Sequence, residues 1–454
     1  MILQFAPAGA KGLAESGTIH PMYDLYTFKK KKKNRAPLIL GSAVVLLVAG
    51  VLLYQIPGIQ RRLDWRIEIA RTYVRNVLNP VDALPTVPVM AAAQAEIITL
   101  TPTPPGTAGA AAETTPAPTA TPLPVESPTP TLTPTPLPDK VELTPPAYEK
   151  QDANNCGPTT LSLYLKYYGW EGDQFVISKE LKPFTDDKNV NIDELMYFAH
   201  NRVGWLNTEF RVGGTLDQLR SFLAAGIPVA IEETSMLDQS YWPNDDRWAG
   251  HYLLITGYDD TAKVFITQDT YYGPNKRVPY AKLDANWQSF NRVFFLIYTP
   301  DQAPMVQAML GSDWDVDVNR QKALDTALAE TKADPQNAFA WFNVGSNLVY
   351  FERYGEAAQA YDTARNLGLP QRMLRYQFGP FISYFHIRRD EDLLALTDYA
   401  LKRTPTSEEA MLWRGWALYR LGKRDEAVQM FQDALGHHPN YGDAIYAIDF
   451  MRTN

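Results

Sequence analysis

Residues 101 to 140 hold twelve prolines and eleven threonines, and no other stretch limits the chain's fold so strongly. Proline fixes φ and removes a backbone donor. Such a segment cannot bury a core and is expected to be extended and solvated. It splits the sequence into an N-terminal head and a folded remainder. With its flanks it makes a linker over 81–140, of roughly sixty residues, whose full extension would reach ~150–190 Å.

The head contains a second constraint. Residues 37–56 read PLILGSAVVLLVAGVLLYQI without one charge, and about twenty such residues cross a bilayer as a helix. The region before it is too long for a signal peptide, and no small-x-small cleavage site follows directly. An uncleaved transmembrane helix is therefore expected over 36–57, after a disordered basic N-terminus at 1–35. Lys29 to Lys33 and Arg35 stand before it; Arg61, Arg62, Arg66, Arg71 and Arg75 stand after it. The charge balance slightly favours a cytoplasmic N-terminus, and a Pro/Thr linker suits an extracytoplasmic spacer. The expectation is a single-pass protein with its folded part outside. Over 58–80, Leu63, Ile67, Ala70, Val74 and Val77 recur at helical spacing between arginines. This juxtamembrane amphipathic helix either lies on lipid headgroups or simply continues the first helix.

A length of 454 residues suggests about three domains. The net charge of -8 argues against a nucleic-acid partner, which calls for a basic face. One cysteine in the whole chain precludes an intramolecular disulfide and a multi-cysteine metal site. No metal or cofactor is expected.

That cysteine sits in Gln151-Asp-Ala-Asn-Asn-Cys156-Gly157-Pro158-Thr159-Thr160, ahead of LSLYLKYYGW. Apolar residues from Leu161 recur every three to four positions and predict a helix that Gly169 ends. Pro158 fits the first turn. Cys156 thus lies at a helix N-terminus, where the dipole and free N–H groups favour a thiolate. Further on, Gly250-His251-Tyr-Leu-Leu-Ile-Thr-Gly257-Tyr258 reads as a strand, then Asp259-Asp260-Thr261 as a turn, then Lys263 to Asp269 as a second strand. A hairpin centred on Asp260 would place His251 and Asp269 directly opposite each other, with Cβ atoms about 5 Å apart. A thiolate needs a base and a group that orients the base: Cys156 as nucleophile, His251 as base and acid, Asp269 as its orienter. Gln151, with the Cys156 backbone N–H, is the oxyanion candidate.

These motifs, Gln-x(4)-Cys-Gly-Pro-Thr, then Gly-His-Tyr-Leu-Leu-Ile-Thr-Gly-Tyr-Asp, then a strand-ending Asp, resemble the bacteriocin-processing, double-glycine-leader peptidases and their freestanding bacterial relatives. The resemblance covers residues 141 to 300. It implies a papain-like fold and the same roles for Cys156, His251, Asp269 and Gln151. Thr215 to Ala230, a helix ended by Gly226 that feeds a buried strand, is also similar. Two positions depart from the pattern. The glutamine stands five rather than six residues before the cysteine, which leaves Asn154 or Asn155 as alternatives, and Thr270 follows the aspartate in place of Pro. No G-x(4)-G-K-[ST] loop occurs, so the transporter-linked leader substrate does not carry over.

Two further clusters read as ordinary. Asp313, Asp315 and Asp317 start like a calcium loop but lack its glycine and closing glutamate, and read as a solvated linker. Asp245 and Asp246 read as a polar loop before His251. After residue 303 the sequence repeats. Trp341, Gly345, Leu348, Ala357, Tyr361 and Ala364 are matched by Met411, Gly415, Leu418, Ala427, Phe431 and Ala434, which resembles tetratricopeptide repeats. A weaker middle copy runs from Leu374 to Ser407, half a degenerate copy over 318–334, and a capping helix over 441–451.

The sequence therefore predicts an α+β papain-like cysteine peptidase domain over 141–302, an all-α tetratricopeptide-repeat solenoid over 303–454 and one N-terminal transmembrane helix. The expected activity is peptide-bond cleavage through a Cys-His-Asp centre. A peptide or protein is the substrate, and the repeats bind substrate or a protein partner. A non-catalytic peptide-binding module, or a thiol acyltransferase of transglutaminase type, is the alternative.

Overall fold

The computed structural model describes residues 36–78, 80, 84–85, 136–182 and 189–453, in two units divided after Arg66. The expected disorder of 1–35 and most of the linker, 86–135, lie outside these residues. Helix α1 spans Ala36–Tyr54 and α2 spans Pro57–Leu78. Among the described residues no helix is long and apolar enough to cross a membrane. The transmembrane expectation is not supported, although the apolar side chains described on α1 are exposed, Leu46 at 72%. On α2 the expected apolar stripe is exposed at Ile67, Val74 and Val77, while Thr72 and Asn76 are buried. Its protein-facing side is the polar one.

The first folded domain is built on a seven-stranded antiparallel sheet: β1 (Lys140–Glu142), β2 (Asn207–Arg211), β3 (Val229–Met236), β4 (Trp248–Asp259), β5 (Val264–Asp269), β6 (Gly273–Pro279) and β7 (Phe294–Tyr298). The order is β2-β7-β3-β4-β5-β6, with β1 pairing the end of β4. Helices α3 (Cys156–Tyr167), α4 (Gln174–Leu181) and α5 (Ile192–Phe198) cover one face; α6 (Leu216–Ala224), α7 (Tyr280–Trp287) and α8 (Ala303–Leu310) cover the other. The central strands are apolar on both sides for this reason. Along β4, Tyr252 and Leu254 enter the first core, Leu253 and Ile255 the second. Gly257 marks a β4 bulge, where a Cβ would sit 2.5 Å from the Val141 carbonyl of β1.

Helices α9 (Val316–Ala333), α10 (Ala338–Tyr350), α11 (Tyr354–Leu367), α12 (Met373–Tyr376), α13 (Gly379–His386), α14 (Asp390–Arg403), α15 (Glu408–Arg420), α16 (Arg424–His437) and α17 (Gly442–Thr453) complete the chain. The aspartates read as a linker are ordered parts of this region. Asp315 caps α9, accepting from the N–H of Asp317 and Val318, and Asp313 pairs with Lys322 at 2.6 Å.

Three helix pairs form the repeats. In the first and third, a small residue on one helix meets a large ring on the next: Gly345 against Tyr361, and Gly415 against Phe431. The middle pair exchanges these sizes. Phe381 stands at the glycine position and Thr397 at the ring position, both fully buried. That exchange is why the middle copy reads weakly. Its first helix also begins at Gly379 and not at Leu374, because Pro380 fits only a first helical turn.

The described flanks of the linker are packed. Leu84 is buried in the main core, and the Pro85 carbonyl accepts from Arg365 Nε at 3.1 Å. At the other end the Pro138 carbonyl accepts from Tyr258 at 2.7 Å, and β1 joins the sheet. Both described flanks of the stretch contact the folded part of the chain.

The exchanged middle repeat gives a stability prediction. T397F overpacks its helix pair and lowers stability by about 1–3 kcal/mol. Adding F381G should recover part of that loss in chemical denaturation, whereas strict additivity would show that the two sites do not share volume.

Candidate active site

Cys156 is the first residue of α3, and the helix runs with Pro158 in its first turn to a stop near Gly169, which takes φ +88°. The loop before it is tightly held. Gln174 Oε1 accepts from the N–H of Asp152 (2.8 Å), from Asn155 Nδ2 (2.8 Å) and from the Thr159 hydroxyl (2.9 Å). Gln174 Nε2 donates to Glu149 (3.0 Å) and to the Lys150 carbonyl (2.8 Å). Lys182 Nζ donates to the Asn154 carbonyl at 2.6 Å, and Asn154 takes φ +53°. The first N–H groups of a helix have no partner within it, which leaves those of α3 for a developing oxyanion.

His251 lies on β4 and Asp269 ends β5. Their contact forms, but not as directly opposed residues. Leu254 faces Gln268 and Asp259 faces Val264, so the hairpin centres beyond Thr261. A longer turn, with Lys263 at φ +53°, causes the offset, and the bulge at Gly257 takes one residue of it back. Continuing that register makes Asp269 the diagonal neighbour of His251, still within reach of two long side chains. His251 Nε2 lies 3.0 Å from Asp269 Oδ1. The same oxygen accepts from the N–H of Tyr271 (2.8 Å) and Tyr272 (2.9 Å).

With Nε2 on the carboxylate, the ring leaves Nδ1 for Cys156. The two partners shift in mutually supporting directions. Burial alone would raise the Cys156 pKa, but the hydrogen bond and charge of His251 outweigh it and lower it. Burial alone would lower the His251 value, but Asp269 and Cys156 push it up to about 10. Asp269 resists its own burial through the His251 bond and is held below the ordinary carboxylate range. All three shifts act in one direction, toward thiolate, imidazolium and carboxylate. The imidazolium contributes stability in full below the free value of about 6.5, and that contribution is lost as pH rises through about 10.

Gln151 stands beside this group. Its N–H donates to the Thr270 carbonyl at 2.9 Å, and its Oε1 accepts from the Thr270 hydroxyl at 2.8 Å. The carbonyl end is thereby fixed and the amide end left to donate. Thr270, the departure from the family pattern, is the residue that does this. Of the alternatives, Asn155 spends its amide on Gln174, while Asn154 is held by its Oδ1, which accepts from Arg375 at 3.2 Å.

Two residues escaped the sequence reading. Gln174 holds the nucleophile loop but lies in an unremarked helix start. Glu233 sits directly across from His251 in the β3–β4 register. Burial pushes its carboxyl up to about 7 despite the nearby His251, and its Oε2 has no partner among the described residues. Alternation along Val229–Met236 would have placed it inward, had the register been known.

A family model for Peptidase_C39-like proteins matches residues 142–294, and one for the tetratricopeptide repeat matches 409–441. No curated protein matches the chain. Among solved structures, one assigned as a C39-like peptidase from Bacillus anthracis is 18% identical with a TM-score of 0.29, covering 35% of this chain and 98% of that one. YrrB, described as a TPR protein with an unusual peptide-binding site, is 22% identical with a TM-score of 0.27, covering 31% and 73%. MamA is 15% identical with a TM-score of 0.27, covering 29% and 77%. Residues 142–294 are thus similar to Peptidase_C39-like proteins, and residues 409–441 to a tetratricopeptide repeat.

Proposed function

We propose that this chain is a membrane-anchored, papain-like cysteine peptidase. The observation that carries the reading is the His251 bridge, with Nε2 on Asp269 and the other nitrogen left for a thiol at a helix start. In the proposed reaction the Cys156 sulfur attacks the scissile carbonyl carbon. The developing oxyanion is held by Gln151 Nε2 and the Cys156 N–H. The imidazolium gives its proton to the leaving amine, and water activated by the neutral ring then cleaves the thioester.

The anchor is supported by the charge-free run over 36–57 and by the exposed apolar side chains of α1 and α2. The basic residues ahead of α1 favour a cytoplasmic N-terminus, with the folded unit on the other side. The repeats offer a site for a peptide or protein partner. A groove of about 800 Å³ is lined there by Phe385, Trp413, Trp416, Tyr446 and Phe450, with Arg388 at its edge.

The single cysteine makes the central test simple. Alkylation of Cys156 in the full-length protein should titrate well below the free-thiol value of about 8.5. In H251A only the Tyr252 backbone and Lys182 still oppose burial, so the titration should move up toward that value; an unchanged profile would contradict the reading. Q151A should keep the alkylation profile yet lower turnover of a mixed peptide library ~10²–10³-fold. Equal turnover in Q151A and the parent would remove Gln151 from the oxyanion site.

A further inference from the structure

The segment between the first two repeats, residues 368–378, does not behave as a repeat connection. Pro380 shortens the following helix, and the freed residues form α12, which reaches into the peptidase domain. Arg372 is 4% exposed and grips the Asp245 carboxylate with two bonds of 2.6 and 2.7 Å, the Asp245 side chain being fully enclosed. Its guanidinium lies 4.0 Å from the centre of the Trp242 ring and also donates to the Trp248 carbonyl at 3.3 Å. Gln371 adds bonds to Asp246 (2.7 Å), to Trp242 (2.6 Å) and to the Asn244 carbonyl (2.9 Å). The pair of aspartates read as a polar loop is therefore a joint between the domains.

That joint reaches the chemistry from two sides. Trp248 is three residues before His251 on β4. Its ring stacks on Phe290 at 5.7 Å, and Tyr376 of α12 packs edge-on against Trp248 at 5.7 Å. Gly250, next to His251, is so enclosed that a Cβ would lie 2.8 Å from Phe290 and 3.1 Å from Tyr376. On the other side, Arg375 donates to Asn154 Oδ1 at 3.2 Å, two residues before Cys156.

We infer that Arg372 and Arg375, which belong to the repeat array, are positioning residues of the peptidase site. Arg372 sets the β4 backbone that carries His251, and Arg375 sets the loop that carries Cys156. This rests on the proposed peptidase reading. The array is then a fixed wall of the site, and a partner on the repeats has a short mechanical path to both reacting side chains.

The test is the pH profile of Cys156 alkylation by iodoacetamide in the full-length protein, R372M and R375Q, with circular dichroism as the control for folding. A displaced imidazole should cost ~10–100-fold in the rate below neutral pH, and R372K should recover only part of it, because the ammonium lacks the two-pronged fork. A merely structural joint lowers the unfolding temperature but leaves the profile unchanged. Folded R372M with the parent's profile overturns the inference alone. Should R372M fail to fold, R375Q decides by the same criterion, since it removes the Asn154 bond and leaves the Asp245 grip intact. A parent protein without the low-pH phase overturns the peptidase reading, and the inference falls with it.

Discussion

Everything in the candidate site turns on one buried hydrogen bond, Nε2 of His251 to Oδ1 of Asp269. An unpaired imidazolium in that interior would lose its proton to avoid desolvation. The carboxylate favours the charged ring, and the charged ring in turn lowers the pKa of the thiol. Asp269 can do this because two backbone N–H groups share the same oxygen, so it gains more from those three donors than burial costs it. The ionised state belongs to the three groups together and not to any one of them.

The fold supplies the two frames this requires. A helix start presents Cys156, and a strand buried on both faces presents His251, so neither side chain rides on a free loop. Gln174 ties the segment before the helix, and Gly157 lets α3 approach β4, where a Cβ would press on the Tyr252 ring at 3.3 Å. The repeat array adds a third support through the joint at Asp245. An Arg that is enclosed, doubly bonded and stacked on Trp242 is a rigid contact. It therefore links two domains more firmly than an exposed ion pair would.

Local chemistry was legible in the sequence. The helix after Cys156, the strand after Gly250, the stop at Gly169 and the first and third repeats all follow from short-range spacing. What was not legible depended on long-range geometry. The hairpin register slipped because a turn length and a bulge cannot be read from composition, although the His251–Asp269 contact survived as a diagonal pair. Glu233 and Gln174 lie far in sequence from the residues they face. The middle repeat hid behind the exchange of Phe381 and Thr397, which preserves volume while breaking the pattern. Nothing near Pro85 announces that Arg365 will bond its carbonyl.

The most direct measurement is a nitrogen NMR titration of histidine-labelled protein, with H251A to identify the signal. The account predicts an imidazolium with both nitrogens protonated through the neutral range, losing its proton near pH 10. A ring that titrates near the ordinary value of about 6.5 would contradict it, because His251 would then not be held between a carboxylate and a thiolate.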